Sequence, residues 1–367
     1  MKKLTGLILF SVPFIVASSS LLAAENTPSI GFSGRIQADS TDYSGGNFPY
    51  VDGSEVRRLR AGVAGNLTAE WEYKVEYDFA PDEVEAKDIY LRYTGIENTR
   101  INIGNFKVYS SLEELTSSNN MTFTERGLPN AMVSTRRVAL GYQNWSDRYS
   151  IAAAVYTHEA NNLDRGTGMA ARLAYRPEMS DGSLLHLGFN IALEQPDADT
   201  VRLRSRPELH QDAHRIVDTG NFTDVDDTSK YGLEAAYVNG RLSAQGEYLQ
   251  KTLSRNGASD VSVDGFYAYV SYFLTADKRA YSNSDAIFGT VTPSSDAGAW
   301  EIAARFSTLD MNDGAVRGGD ADAITFAVNY YMTRDLRFQA NYVMTNSKRG
   351  AFSDDPNGLQ LRVRFTW

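Results

Sequence analysis

The sequence contains no cysteine, and no apolar run in it is long enough to cross a membrane as a helix. The missing cysteines exclude disulfide bonds, thiolate catalysis and zinc sites built on sulfur. A membrane-spanning helix needs about 18 consecutive apolar residues, so a bundle of membrane helices is excluded. Basic residues are outnumbered, 36 Lys and Arg against 46 Asp and Glu, which argues against nucleic acid as a partner.

The N-terminus has the composition of a secretory signal. Lys2 and Lys3 form a charged start, Leu4–Val16 form an apolar core, and Ala23-Ala24 offer small residues for cleavage. The core is too short to span a bilayer and contains Pro13. We therefore predict a signal peptide over residues 1–24 and a single exported domain over residues 25–367.

Strict alternation of apolar and polar residues is the dominant pattern in the rest of the chain. It is clearest at residues 70–79, where the apolar face carries Trp71, Tyr73, Val75, Tyr77 and Phe79 and the other face carries Glu70, Glu72, Lys74, Glu76 and Asp78. Alternation of this kind is typical of a strand with one apolar and one wet face. With 21 Tyr, 17 Phe and a mean hydropathy of −0.37, it predicts an all-β fold, a transmembrane antiparallel β-barrel.

The number of strands depends on an arginine-rich stretch, Val201–Arg206. Counted as a strand it gives 17, and counted as part of a loop over about residues 195–229 it gives 16. We prefer 16, since single-chain bacterial barrels have an even number of strands. The last stretch, Leu359–Trp367, alternates up to an aromatic end, which fits a closing strand at a membrane interface. Ala276–Gly298 is an exception, a long connection on the side of the short turns.

A long polar stretch, about residues 107–134, separates two alternating segments. We expect it to fold into the barrel and to form the narrow part of a pore. Lys107, Ser110 and Ser111 supply a cation and two hydroxyl donors, a plausible anion cradle. Three acidic residues of this stretch, Glu113, Glu114 and Glu125, would repel an anion. They would not do so if they pair with basic residues, for which the candidates are Arg57, Arg58, Arg126 and Arg136.

Arginines occupy alternate positions in Val201–Arg206. In an extended chain Arg202, Arg204 and Arg206 point the same way, about 6–7 Å apart. Successive guanidinium groups offer an anion several similar sites, and their planar forks suit phosphate. The alternative is an exposed loop whose arginines pair with Glu208, Asp212 and Asp218.

The histidines do not indicate catalysis. His210 and His214 have the spacing of a helical metal pair, but Pro207 and the lack of apolar periodicity argue against a helix there. The sequence has no nucleophile elbow and no phosphate-binding glycine loop. We predict neither an enzyme nor a bound metal or cofactor.

Several motifs resemble those of the phosphate-selective porin O and P family, over almost the whole exported part of the chain. They are Val56–Val63, Trp71–Phe79, Ser111–Ser117, Thr122–Arg126, Arg206–Glu208, Val217–Gly220 and Gly246–Tyr248. The resemblance implies a 16-stranded outer-membrane barrel, usually trimeric, in which an arginine ladder leads phosphate or polyphosphate to a constriction.

Carried over by position, the ladder falls on Arg202, Arg204, Arg206 and Arg215. The constriction falls on Lys107, Ser110, Ser111 and the Arg57–Arg58 pair, with Arg60 on the face that Arg58 shares. Alternation lets only one of Arg57 and Arg58 face the lumen, and Arg58 is preferred. Asn119-Asn120 stand where the family often has a basic residue, which would weaken phosphate retention.

The sequence thus predicts passive, anion-selective diffusion of phosphate or polyphosphate across an outer membrane. The partners expected are these anions, the membrane lipid and two further copies of the chain. A general porin for small hydrophilic solutes is the first alternative, and a membrane-anchored enzyme or adhesin with a plugged barrel is the second.

Overall fold

Alternating segments of the chain form a closed antiparallel barrel in the structure, a computed structural model that describes residues 28–161 and 166–367. The predicted signal peptide lies outside the described residues. Within them, 16 long strands make up the wall: β1 Gly31–Gly45, β2 Gly53–Asn66, β3 Trp71–Asp78, β4 Glu85–Tyr93, β5 Thr99–Lys107, β6 Arg136–Trp145, β7 Tyr149–Tyr156, β8 Thr167–Tyr175, β9 Leu184–Gln195, β10 Val225–Asn239, β11 Leu242–Arg255, β12 Val261–Phe273, β13 Ala299–Asp313, β14 Val316–Tyr331, β15 Leu336–Arg349 and β16 Pro356–Thr366.

Each strand pairs with the strands before and after it in the sequence, and β1 pairs with β16. The closing register runs from Arg35 opposite Thr366 to Gly45 opposite Pro356. Closure removes the unpaired edges that an open sheet would expose. The prediction of a 16-stranded antiparallel barrel is confirmed, and the arginine-rich stretch lies in a loop.

The wall is apolar outside and polar inside. The outward-facing residues of the alternating pattern include Phe32 and Val155, whose exposed fractions are 76% and 55%. The inner face carries large charged side chains, and Arg305, Arg337 and Arg362 are among those fully buried within the lumen. Within the described residues, no helix is long and apolar enough to cross a membrane.

Most connections at the barrel end that carries both chain termini are short, and most of those at the opposite end are longer. The predicted exception is real: the connection between β12 and β13, residues 274–298, folds into the barrel as what we call the inner segment. Gln143 of the wall donates to the Ser284 carbonyl (2.5 Å), and Phe288 packs with Leu112 in a buried apolar cluster. The inner segment therefore narrows the lumen from the terminal end.

The connection between β5 and β6, residues 108–135, also folds inward, as predicted; we call it loop 3. It contains a one-turn helix, α1 (Leu112–Leu115), whose N-cap Ser111 accepts a hydrogen bond from the Glu114 backbone N–H at 3.1 Å. Glu247 of the wall accepts from the Leu112 and Glu113 N–H groups at 2.9 and 2.6 Å. These bonds satisfy the donors that a helix start leaves open.

Basic wall side chains hold loop 3 by its main-chain carbonyls. Arg337 donates to the Met121 carbonyl at 2.7 Å, Arg364 to that of Asn119 at 2.9 Å, and Arg305 to that of Glu125 at 3.0 Å. Charge-assisted hydrogen bonds are about twice as strong as neutral ones. Loop 3 is therefore fixed to the wall at several points along its length.

Candidate functional site

The connection between β9 and β10, residues 196–224, carries the predicted arginine row; we call it loop 5. Leu203 is buried in an apolar cluster with Ile216 and Val217, so the flanking Arg202 and Arg204 point the other way and are exposed. Arg204-Ser205 pair as a two-residue strand with Val217-Asp218. Alternation thus places two of the three arginines as predicted.

The arginines of loop 5 differ in their partners. Arg202 forms a forked pair with Asp218, so this part of the alternative interpretation holds. Arg206 donates to the His210 carbonyl at 3.0 Å. In the described part of the chain, the side chains of Arg204 and Arg215 have no hydrogen-bond or ion-pair partner. Burial and the like charges of Arg206 and Arg204 lower the pKa of Arg215 to about 10, so it remains charged at neutral pH.

Loop 5 is anchored inside the barrel by Glu208. Its carboxylate pairs with the buried Arg305 of β13 and accepts from the Thr325 hydroxyl of β14 at 2.7 Å. In the alternative interpretation, this carboxylate paired with the arginines of its own loop. It binds the wall instead, and among the described residues it forms no ion pair with Arg204 or Arg215.

Four polar cavities follow one another through the barrel. The outer cavity, about 350 Å³, is bordered by loop 5, loop 3 and the wall; its basic side chains are Arg137, Arg202, Arg204, Arg215 and Lys251. The middle cavity, about 370 Å³, shares Arg204 and Arg215 with it, and its basic side chains are Arg57, Arg58, Arg126, Arg204, Arg206 and Arg215. The shared side chains make the two cavities direct neighbours.

The third, the inner cavity, is the most basic. It has a volume of about 180 Å³ and shares Arg58 and Arg126 with the middle cavity. Seven basic side chains border it, against the two acids Asp88 and Glu114: Arg35, Arg58, Arg60, Lys74, Lys107, Arg126 and Arg136. The inner cavity is therefore smaller than the outer and middle cavities and has more basic side chains than either.

Each of these seven cations has an acidic partner, and the cations outnumber the acids, which are Glu76, Asp78, Asp88, Glu114 and Glu125. Asp88 lies 2.8 Å from both Lys74 and Arg136, and Glu114 lies 3.2 Å from Lys107 and 3.1 Å from Arg126. Burial alone would raise the pKa of Glu114, but the adjoining Arg126 and Lys107 lower it to about 2. The pairings expected for Glu114 and Glu125 are present, whereas Glu113 pairs with Arg305 at 3.3 Å.

Both Arg57 and Arg58 face the lumen, which corrects the expectation that only Arg58 would do so. Gln37 of β1 pairs with Arg58 and the next residue, Ala38, pairs with Val56, so Arg57 is the extra residue of a β-bulge. The bulge turns two consecutive side chains inward, and both approach the Glu125 carboxylate of loop 3. Arg60 also points inward and pairs with Asp78 at 2.8 Å.

Two predicted constriction residues lie behind the surface of the path. Ser110 is fully buried and donates to the Ser134 carbonyl at 2.8 Å, and Ser111 caps α1. Neither hydroxyl borders the four cavities. Both serines therefore have a role in folding loop 3, and their anion contact stays a prediction. Lys107, by contrast, borders the inner cavity.

The fourth, the lower cavity, leads toward the terminal end. It has a volume of about 150 Å³, shares Asp88 and Lys107 with the inner cavity, and reaches Arg172 of the wall and Asp285 of the inner segment. Arg172 donates to the Asp285 and Ala286 carbonyls at 3.1 and 2.8 Å. The inner segment thus forms one wall of the narrow lower part of the path.

Sequence reasoning missed several basic side chains of the path, namely Arg35, Lys74, Arg137 and Lys251, and it named Arg136 only as a partner for the acids of the long polar stretch. Lys74 stood on the polar face of the clearest alternating segment, so its inward position could have been read directly. The rest become neighbours through barrel closure and loop folding, which alternation does not encode. Of the two loop histidines, His210 bonds Glu55 at 2.8 Å and His214 stacks on Phe48.

This arrangement defines a class of protein. A closed barrel with an apolar outer face, an inward-folded loop and a charged path through the lumen is an outer-membrane porin, in which selectivity comes from charges along the pore. Single-chain bacterial barrels keep both ends of the chain on the periplasmic side. The outer cavity then faces the cell exterior, and the lower cavity faces the periplasm.

Comparison with known proteins gives the family. The model of the phosphate-selective porin O and P family matches residues 30–367, and the chain belongs to that family. It is 27% identical to Porin O of Pseudomonas aeruginosa over 91% of this chain and 87% of that protein. The family resemblance drawn from the motifs is confirmed.

Solved structures share the fold at low sequence identity. OmpT, an outer membrane protein of Vibrio cholerae, superposes with a TM-score of 0.62 at 13% identity and covers 95% of this chain and 100% of its own. An anion-selective porin from Comamonas acidovorans gives a TM-score of 0.61 at 12% identity, covering 93% of this chain and 100% of its own. These likenesses show that the chain shares the barrel fold of these proteins.

Proposed function

We propose that this porin mediates passive, anion-selective diffusion, with phosphate or polyphosphate as the preferred solute. The observation that carries the proposal is the series of cavities joined by shared arginines, from Arg204 and Arg215 to Arg58 and Arg126, ending in the seven-cation inner cavity. Guanidinium groups donate paired hydrogen bonds that match the oxygens of phosphate. The family is described as phosphate-selective, and the porin from Comamonas acidovorans is described as anion-selective. Both descriptions are consistent with phosphate as the solute.

Translocation follows from the placement of the charges. An anion first meets Arg204 and Arg215, whose guanidinium donors are available because these side chains have no hydrogen-bond or ion-pair partner among the described residues. It then passes to the shared Arg58 and Arg126 and reaches Lys107 at the lower side of the inner cavity. Successive sites of similar affinity let an ion enter without being trapped. No bond is made or broken, and the concentration gradient drives the flux.

The same proposal includes a homotrimer in the membrane. An OmpT structure from Vibrio cholerae is described as a trimer form, and its fold matches this chain with a TM-score of 0.59. The outer face of the barrel is apolar enough to contact lipid or another copy. Chemical cross-linking of the protein in native membranes tests this: a ladder that stops at three copies supports it, and monomers alone overturn it.

The transport proposal is tested in planar bilayers with the purified protein. We expect a reversal potential for anion selectivity across a chloride gradient, and block of the chloride current by added phosphate. Arg204→Ala should relieve the block. Arg317→Ala is the matched control, since this arginine lies in an exposed hairpin and donates to the Gly314 carbonyl at 2.6 Å.

Weak or cationic selectivity without phosphate block would overturn the proposal and favour the general porin. Anion selectivity without phosphate block would retain the anion pore but exclude a phosphate-binding path. High salt should weaken the selectivity in either case, because counter-ions screen the exposed arginines.

A further inference from the structure

One carboxylate in the path, that of Glu125, occupies a place suited to a transported anion. Its two oxygens accept a forked pair of hydrogen bonds from Arg57, at 2.9 and 3.0 Å. Arg362 donates to it at 2.8 Å, and Arg58 lies 3.8 Å away. Three guanidinium groups around one carboxylate is the coordination that a phosphate group would receive at the same point.

The position of Glu125 sets it apart from Glu208, the other acid that borders the middle cavity. Glu208 also borders that cavity, but its side chain is 1% exposed and bound to Arg305, Ser307 and Thr325. The Glu125 side chain is 16% exposed and its partner Arg57 is 18% exposed. Glu125 is therefore reachable from the path, whereas Glu208 is held in the wall.

The partners of Glu125 also lie where the path narrows. Arg58 belongs to both the middle and the inner cavity, so an anion leaving one for the other passes it. The main chain of Glu125 is held separately, because Arg305 donates to its carbonyl at 3.0 Å. The side chain can therefore release Arg57 while loop 3 stays in place.

Glu125 is ionised throughout the ordinary pH range. Burial alone would raise the pKa of this carboxyl, but Arg57, Arg58 and Arg362 lower it well below its usual range. An incoming anion consequently meets a site that already holds a negative charge. It must compete with that charge to gain the donors of Arg57.

We propose that the Glu125 side chain is a built-in competitor anion, which the transported phosphate displaces from Arg57 and Arg58 and which then returns to release it. The inference rests on the proposed function and adds to it a residue that limits affinity. Conduction requires sites that bind weakly enough to let the ion leave. Competition by a tethered carboxylate lowers the affinity of the junction without removing any of its arginines.

The experiment measures block of chloride current by inorganic phosphate in planar bilayers, with the wild type and Glu125→Gln. Glutamine keeps the size of the side chain and removes its charge. We expect the half-blocking phosphate concentration to fall roughly tenfold or more, since hydrogen bonds to charged groups are among the stronger ones. Blocking events should last longer by a similar factor.

Asp224→Asn is the matched control. Asp224 forms the same forked pair with an arginine, Arg255, at 3.0 and 2.8 Å, but it borders none of the four cavities. It should leave phosphate block within about twofold of wild type. Glu125→Asp, which keeps the charge on a shorter side chain, should give an intermediate affinity and serves if the glutamine variant does not fold.

Each outcome decides between the inference and the proposed function. Wild-type block that is unchanged or weaker in Glu125→Gln overturns the inference, leaves the phosphate path standing and makes Glu125 a brace of loop 3. Block that appears only in Glu125→Gln supports the competitor and overturns phosphate binding by the wild type. Absence of block in both proteins overturns both.

Discussion

Glu208 of loop 5 and Arg305 of β13 form a buried ion pair that joins the arginine-bearing loop to the barrel wall. Removing the carboxylate leaves a buried guanidinium with less compensation, which costs on the order of 3–5 kcal/mol for buried pairs. We expect Glu208→Ala to loosen loop 5 and to expose Arg202, Arg204 and Arg206 to trypsin. Limited proteolysis of the folded protein should show new cleavage in loop 5.

The control for that experiment is Glu178→Ala. Glu178 pairs with Arg148 at the surface, where the two side chains are 76% and 62% exposed. Exposed pairs contribute little to stability, so its digestion pattern should match that of the wild type. Equal resistance of Glu208→Ala would show that other contacts hold loop 5.

Charge at the narrow part of the path should matter more than charge at its mouth. Lys107 borders the cavities of about 180 and 150 Å³, whereas Arg204 borders those of about 350 and 370 Å³. Confinement between low-dielectric walls strengthens the field of a charge. Lys107→Gln should therefore reduce the chloride-to-potassium permeability ratio several-fold, and more than Arg204→Ala does.

Reversal potentials across a potassium chloride gradient give that ratio directly. Lys348→Gln, which changes an exposed residue on β15, should leave it unchanged. A larger effect from Arg204→Ala than from Lys107→Gln would place the selectivity filter in the outer half of the path.

Acidic pH should add a positive charge to the middle cavity through His210. Burial lowers the pKa of His210, and the hydrogen bond to Glu55 partly opposes that shift. The ring is therefore neutral at pH 7 and becomes protonated only as the pH falls below the ordinary value of about 6.5. Chloride conductance should rise by up to about twofold between pH 7.5 and pH 5.

His210→Gln should reduce this rise, and His158→Gln, at a position that borders none of the four cavities, should preserve it. Chloride is the ion of choice because phosphate itself titrates in this range. An identical pH response in His210→Gln would assign the effect to another group.

The inner segment should limit conductance at the periplasmic end. Arg172 holds it through two carbonyls, and Arg100 pairs with Asp285 at 2.8 Å. Arg172→Ala removes those two bonds, so the segment should move more freely and single-channel conductance should rise or fluctuate between levels. If the Arg172→Ala variant keeps the steady conductance of the wild type, packing of Phe288 is sufficient to hold the inner segment. Arg148→Ala, at the exposed surface, is the control.

Much of the barrel could be predicted because its code is local. The alternation in Trp71–Phe79 places Lys74 and Glu76 in the lumen whatever the rest of the chain does. The requirement for an even number of strands then assigned the arginine-rich stretch to a loop and not to the barrel wall. The pairings of Glu114 and Glu125 with arginines also followed, because isolated carboxylates in an anion path would be unfavourable.

The parts that could not be predicted depend on contacts distant in sequence. The bulge at Arg57 arises from pairing with Gln37 and Ala38 of a different strand, and no local signal marks it. Glu208 forms an ion pair with Arg305, almost a hundred residues away in the sequence, and not with the arginines of loop 5. Ser110 and Ser111 resembled anion ligands in sequence, but the fold of loop 3 uses both hydroxyls.

The hydrogen bonds from wall arginines to loop 3 affect which substitutions this pore can accept. Arg337, Arg364 and Arg305 hold carbonyl oxygens, which every amino acid possesses, so the hold does not depend on which side chains the loop carries. Substitution of a loop side chain such as Glu125 can then change the charge along the path while the main chain of loop 3 keeps its position. The barrel wall can therefore hold loops of different sequence in the same position.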